Sequence, residues 1–79
     1  MARVLLFGRL ADIAGWRERR IDSASLDALR QALAAQDAAL GEALIAPGVQ
    51  AAVDQALVRG DVALNGDSEV AFLPPMSGG

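Results

Sequence analysis

Cysteine, histidine, tyrosine and lysine are all missing from this 79-residue chain. Without cysteine there is no disulfide, no thiol nucleophile and no thiolate metal site. Without histidine the chain lacks the side chain most often used for proton transfer near neutral pH, which is also the commonest metal ligand. A self-sufficient enzyme would have to work with Asp, Glu, Ser and Arg, yet neither a paired-carboxylate motif nor a Gly-rich phosphate loop is present. Catalysis by this chain alone is therefore not expected, nor is a metal or cofactor bound by it. Every one of the seven basic residues is Arg, so chains of copies linked through the protein's own lysines are excluded.

Long apolar runs are also lacking, since none approaches the roughly 20 residues a bilayer crossing needs. The short run VLLF after Arg3 ends at Gly8-Arg9, too short for the core of a secretory signal. The expectation is one cytoplasmic domain without membrane contact. A net charge of −3 and a pI near 4.6 oppose nucleic-acid binding, which needs a basic face to neutralise phosphates. The local exception is Arg17, Arg19 and Arg20. Such a cluster suits a solvated strand edge that discourages edge-to-edge pairing; an acidic patch on a protein partner is the other use open to it. Hydrophobic residues make up 53% of the chain, too many for a disordered segment.

Residues 2–8 (ARVLLFG) form a β-branched and aromatic run and predict a first strand. Residues 9–15 predict a helical turn stopped by Gly15, and 16–21 (WRERRI) a second strand pairing back on the first. The main helix follows, with Leu26, Leu29, Ala32 and Leu33 at helical spacing. Ser25 can cap its first turn and Asp27 sits at the positive end of its dipole. Residues 37–48 predict a weaker helix, interrupted by Gly41 and ended by Pro47-Gly48. Residues 49–59 predict two short strands around a turn near Asp54-Gln55. Asn65-Gly66-Asp67 is a turn signal, and 69–74 (EVAFLP) predicts the last strand, closed by Pro74-Pro75. A hairpin followed by one main helix lying across a mixed sheet is an α+β, β-grasp (ubiquitin-like) arrangement.

Strand alternation puts Val4 and Leu6 on one sheet face and Leu5 and Phe7 on the other. The last strand does the same, with Val70 and Phe72 opposed to Ala71 and Leu73. A single helix stripe buries one face only. Phe7, Leu73 and Leu57 are therefore expected to form an exposed apolar patch of the kind that marks a partner surface.

The end of the chain reads VAFLPPMSGG. Gly78 and Gly79 have no Cβ, so they can enter a narrow channel and adopt backbone angles closed to other residues. Pro74 and Pro75 stiffen the exit from the sheet. From Pro74 to Gly79 the chain spans at most about 20 Å when extended, enough to carry the Gly79 carboxylate into another protein's pocket. A carboxylate is a poor electrophile until activated, and an acyl-adenylate made from ATP is the usual remedy. The expected organisation is a β-grasp domain over 1–73 and a flexible Gly-Gly tail over 74–79.

The terminal F-x-P-P-x-x-G-G pattern, the internal AAVDQALV, the opening VLLFG and NGDSEV before the last strand together resemble the small, sulfur-carrier subunits of molybdopterin synthase, the MoaD type of the MoaD/ThiS ubiquitin-like family. The resemblance covers essentially the whole chain. It implies that a ubiquitin-activating-like adenylyltransferase uses ATP to adenylate Gly79, with Gly78 the slender residue behind it. Sulfur from a persulfide donor then converts the adenylate to a thiocarboxylate. It further implies that the tail enters the large synthase subunit and gives its sulfur to a cyclic pyranopterin monophosphate, in an assembly of two small and two large subunits. Phe7, Leu57, Leu73, Pro74, Pro75, Met76 and Ser77 fall where such a subunit meets its partner. Ala11 and Asp12 stand where the family often has an Arg-Glu pair, so a partner salt bridge from position 11 is lost. A carrier for thiamine, cysteine or tRNA thiolation uses the same carboxylate chemistry. A ubiquitin-like modifier joined through Gly79 to lysines of its targets, or a plain binding module, are further alternatives.

Overall fold

Side by side and parallel at the centre of a five-stranded sheet lie β1 (Ala2–Leu6) and β5 (Glu69–Leu73), in a computed structural model that describes residues 1–75. Outside them come β2 (Glu18–Ile21) against β1, then β3 (Gln50–Val53) against β5 and β4 (Ala56–Val58) against β3, all antiparallel. The order β2-β1-β5-β3-β4 makes the sheet mixed. Among the described residues three helices cross it: α1 (Arg9–Ala14), α2 (Leu26–Gln36) and α3 (Ala38–Leu44). This is the expected β-grasp arrangement, with α1 and α3 joining the main helix on one side of the sheet.

The core lies between that sheet face and the helices. Val4, Leu6, Ala51, Val70 and Phe72 come from the strands; Leu10, Leu26, Leu29, Leu33, Leu40 and Leu44 come from the helices, and all are buried. Period two in the strands and period 3.6 in α2 place these apolar residues on facing surfaces. Ala11 belongs to the same cluster, so position 11 serves α1 packing.

Two side chains satisfy the first amides of α2. Ser25 Oγ accepts from Ala28 N at 3.1 Å, and Asp61 Oδ1 accepts from Asp27 N at 2.9 Å. Asp37 ends α2 and begins α3: its N–H donates to Leu33 O, and its Oδ1 accepts from Leu40 N at 3.1 Å. One residue thus closes one helix and caps the next.

Gly41 does not interrupt the second helix, as its low helix propensity suggested; α3 runs straight through it. A Cβ there would lie 2.5 Å from Ala34 Cβ and 2.7 Å from Ala34 Cα. The glycine is what lets α3 approach α2 closely, and packing outweighs the roughly 1 kcal/mol of lost propensity. Two strands are also shorter than the sequence pattern suggests. β1 stops at Leu6, although Phe7 N still donates to Phe72 O at 3.3 Å, and β2 begins at Glu18. Asp54 (φ 51°) and Gln55 (φ 71°) form the β3–β4 turn where one was expected. Positive φ at both positions gives a two-residue loop the twist of its strands. Asn65 Oδ1 accepts from Asp67 N at 2.8 Å, and the buried Ser68 accepts through Oγ from Asn65 N at 2.9 Å, leading the chain into β5.

Candidate functional site

Among the described residues, all three helices pack on the Val4–Leu6 side, and none lies over the other sheet face. Strand register sets out that face in rows. Leu5 pairs with Ala71, Ala71 with Ala52, and Ala52 with Leu57. One apolar row therefore crosses the sheet from β1 to β4, reaching Glu18 of β2 beyond Leu5. On the tail side, Leu73 pairs with Gln50. Phe7 follows Leu5 on the same face by alternation. Because β1 and β5 run parallel, Phe7 and Leu73 lie together at the end where the chain leaves the sheet.

Exposure varies along these rows. Leu57 is 63% exposed and Phe7 45%, whereas Leu5, Ala71 and Leu73 are half-buried and Ala52 is buried. The structure thus brings Phe7 and Leu73 to one corner and places Leu57 at the β4 edge of the same face. Sequence reasoning named these three but missed the Ala71–Ala52 pairs that join them, because register follows from β5 inserting between β1 and β3. A groove lined by Arg30, Gly48, Leu57 and Arg59 runs along β3 and β4.

At the opposite end of the face the row turns charged. Arg3 pairs with Arg20 on one side and Glu69 on the other. Arg3 Nε donates to Glu18 Oε2 at 2.8 Å, and its Nη1 donates to Glu69 Oε1 at 3.3 Å. The hydrogen bond from Arg3 holds the Glu18 carboxyl below the usual carboxylate range, desolvation opposes this, and the charges of Arg3 and Arg20 assist it. With its pKa lowered in the fold, Glu18 adds stability above the unfolded carboxylate value and loses it as pH falls through the folded one. Both partners are solvent-exposed, so the pair orients side chains more than it stabilises the fold. Arg17, Arg19 and Arg20 are exposed on or beside the outer strand β2; Arg19 stacks 4.8 Å above the Trp16 ring, and none of the three forms an ion pair among the described residues.

Pro74 and Pro75 continue from β5 at the Phe7–Leu73 corner, the first half-buried and the second exposed. They sit beside two turns, Pro74 against Gly8 and Pro75 against Gly48. From the sequence these glycines read only as the ends of a strand and of a helix. The remaining expected site residues, Met76, Ser77, Gly78 and Gly79, lie outside the described residues. Among the described residues, no group of three or more Asp or Glu side chains is placed to hold a metal ion, and no helix is long and apolar enough to cross a membrane.

The ThiS family model matches residues 4–79. The chain is 38% identical over 81 residues to the molybdopterin synthase sulfur carrier subunit of Escherichia coli (strain K12), with 100% of both chains covered. Among solved structures, the crystal structure of SAMP1 from Haloferax volcanii superposes with a TM-score of 0.86 at 25% identity, covering 99% of this chain and 98% of the other. The solution structure of small archaeal modifier protein 1 from Methanosarcina acetivorans gives 0.88 at 20% identity, covering 99% and 95%, a likeness of fold alone.

Proposed function

This chain belongs to the ThiS family, and on that premise we propose that it is the sulfur-carrier subunit of a cytoplasmic molybdopterin synthase. The observation that carries the proposal is the end-to-end match to the Escherichia coli carrier subunit. A ubiquitin-activating-like adenylyltransferase joins the Gly79 carboxylate to AMP from ATP, releasing pyrophosphate. The terminal sulfur of a persulfide donor attacks the acyl carbon, the acyl–oxygen bond breaks and AMP leaves. A thiol reductant then cleaves the S–S bond of the resulting acyl disulfide to give the thiocarboxylate and the donor's thiol. The exposed Phe7 and Leu57, with Leu73, form the surface that meets the large synthase subunit. Docking there brings Pro74, Pro75, Met76 and Ser77 to the partner, and the thiocarboxylate gives its sulfur to a cyclic pyranopterin monophosphate. Two small and two large subunits make the assembly. Such a carrier needs no His or Cys of its own, because sulfur travels on the chain end and the acid–base groups and ATP site belong to partners.

The test is the intact mass of the protein after incubation with ATP, a sulfur donor, a reductant and the host's activating enzyme. The expected result is a gain equal to exchanging one oxygen for sulfur, absent when Gly79 is deleted, followed by molybdopterin formation when the large subunit and the pyranopterin are added. An unchanged mass, with the enzyme active on a known carrier, refutes the proposal. The likeness to SAMP1 at 25% identity favours one second reading, a protein modifier. It would show itself as an amide adduct on lysines of other proteins. Thiocarboxylate formation without molybdopterin formation would point to thiamine, cysteine or tRNA thiolation.

A further inference from the structure

Two loops that are distant in sequence meet the two prolines from different sides. Gly8, between β1 and α1, has φ 56° and ψ −133°, a mirror-β conformation that side chains with a Cβ essentially do not adopt. A Cβ on Gly8 would stand 3.0 Å from Pro74 Cγ. Gly48, between α3 and β3, has φ 87°, and a Cβ there would stand 2.8 Å from Pro75 Cβ, 3.3 Å from its Cγ and 3.6 Å from its Cα. A proline ring can change pucker, which moves Cγ, but it cannot rotate away, so the contacts at Gly48, which reach Pro75 Cβ and Cα, bear on the main chain. Pro74 and Pro75 also have fixed φ, and each restricts the residue before it to extended backbone.

We infer that Gly8 and Gly48 are positioning residues: their missing side chains form a notch that seats Pro74 and Pro75 and so sets the direction in which the chain end leaves the sheet. Four residues follow Pro75, a reach of at most ~14 Å, so a tilt of about 20° at the notch displaces a fully extended tip by about 5 Å. Two other glycines provide the contrast. Gly15 (φ 81°) and Gly60 (φ 75°) also have positive φ, but a Cβ at either meets nothing within 4 Å. Replacing them by Ala imposes backbone strain without touching the prolines. The importance of the notch for sulfur transfer rests on the carrier reading above; its geometry does not.

The experiment compares Gly48→Ala with Gly60→Ala in the full chain. NMR measures cross-relaxation between residue 48 and Pro75 and the residual dipolar coupling of the Met76 N–H. Steady-state kinetics measures kcat and KM for thiocarboxylate formation by the activating enzyme. Gly48→Ala is expected to keep dispersed amide signals, lose the wild-type contact and dipolar coupling, and lower kcat/KM by about 10- to 100-fold, as a small misplacement of a reacting group does. Gly60→Ala is expected to stay within about twofold of wild type in all of these. Equal losses in both variants would assign the effect to strain, and unchanged dipolar coupling or kinetics in Gly48→Ala would remove the positioning role. Pro75→Gly empties the notch from the tail side while leaving both turns intact. It makes the same test should Gly48→Ala fail to fold, and wild-type kinetics in it would overturn the proposal. If the wild-type protein is not converted at all, the carrier reading fails, while the NMR comparison still decides whether the notch aims the tail.

Discussion

Changing Leu57 to Asp separates the two faces of the sheet most sharply. Full burial of a Leu side chain is worth about 1.5–3 kcal/mol. Leu57 is 63% exposed, so the fold already has only about a third of that, ~0.5–1 kcal/mol. Adding Asp's poorer fit to a strand, up to ~1 kcal/mol, the isolated domain is expected to lose about 0.5–2 kcal/mol and to stay folded. In the proposed complex with the large synthase subunit the sum is larger. The exposed two-thirds, ~1–2 kcal/mol, is forfeited, and a carboxylate buried against an apolar surface adds at least ~2 kcal/mol. At 1.4 kcal/mol per tenfold, Kd for the large synthase subunit should rise by about 100-fold or more. Phe72→Ala, on the covered face of β5 in the same sheet, should instead cost the monomer about 3–5 kcal/mol, because Phe72 is fully buried. Urea unfolding followed by circular dichroism reads the first quantity, and calorimetric titration with the large subunit reads the second. An unfolded Leu57→Asp would mean that this face is core. A folded Leu57→Asp that binds within about threefold of wild type would remove Leu57 from the docking surface.

Gly41→Ala is expected to destabilise the domain by about 1–2 kcal/mol in urea unfolding: the gain of ~1 kcal/mol in helix propensity is outweighed by overpacking against Ala34, typically 1–3 kcal/mol and at the high end here because the Cα itself is 2.7 Å away. A rise in stability would show that α2 and α3 can separate freely. Gln55→Gly is expected to raise the thermal midpoint, since Gln55 holds φ 71° in a two-residue hairpin turn that favours glycine. A gain of about 0.5–1 kcal/mol is the scale of that relief, and calorimetry showing a lower midpoint would refute it.

Much of this molecule follows from local rules that the sequence states directly. Leu26, Leu29 and Leu33 recur at helical spacing behind the Ser25 cap, and the structure buries all three beneath α2. Val4 and Leu6 alternate with Leu5 and Phe7, so strand geometry alone divides them between two faces. With cysteine and histidine missing, the carboxylate behind Pro74-Pro75 and Gly78-Gly79 is the distinctive reactive group left in the sequence. What lay beyond the sequence depends on contacts between residues far apart along it. Gly41 looked like a helix breaker, since propensity is local; Ala34, seven residues away on the neighbouring helix, makes it a packing residue. The apolar row Leu5–Ala71–Ala52–Leu57 exists only because β5 enters between β1 and β3 in one register. The seat of the two prolines likewise draws on residues 8, 48, 74 and 75, which share no periodicity. Periodicity and capping act within a few residues, whereas register and close backbone approach are decided when distant segments compete for the same space.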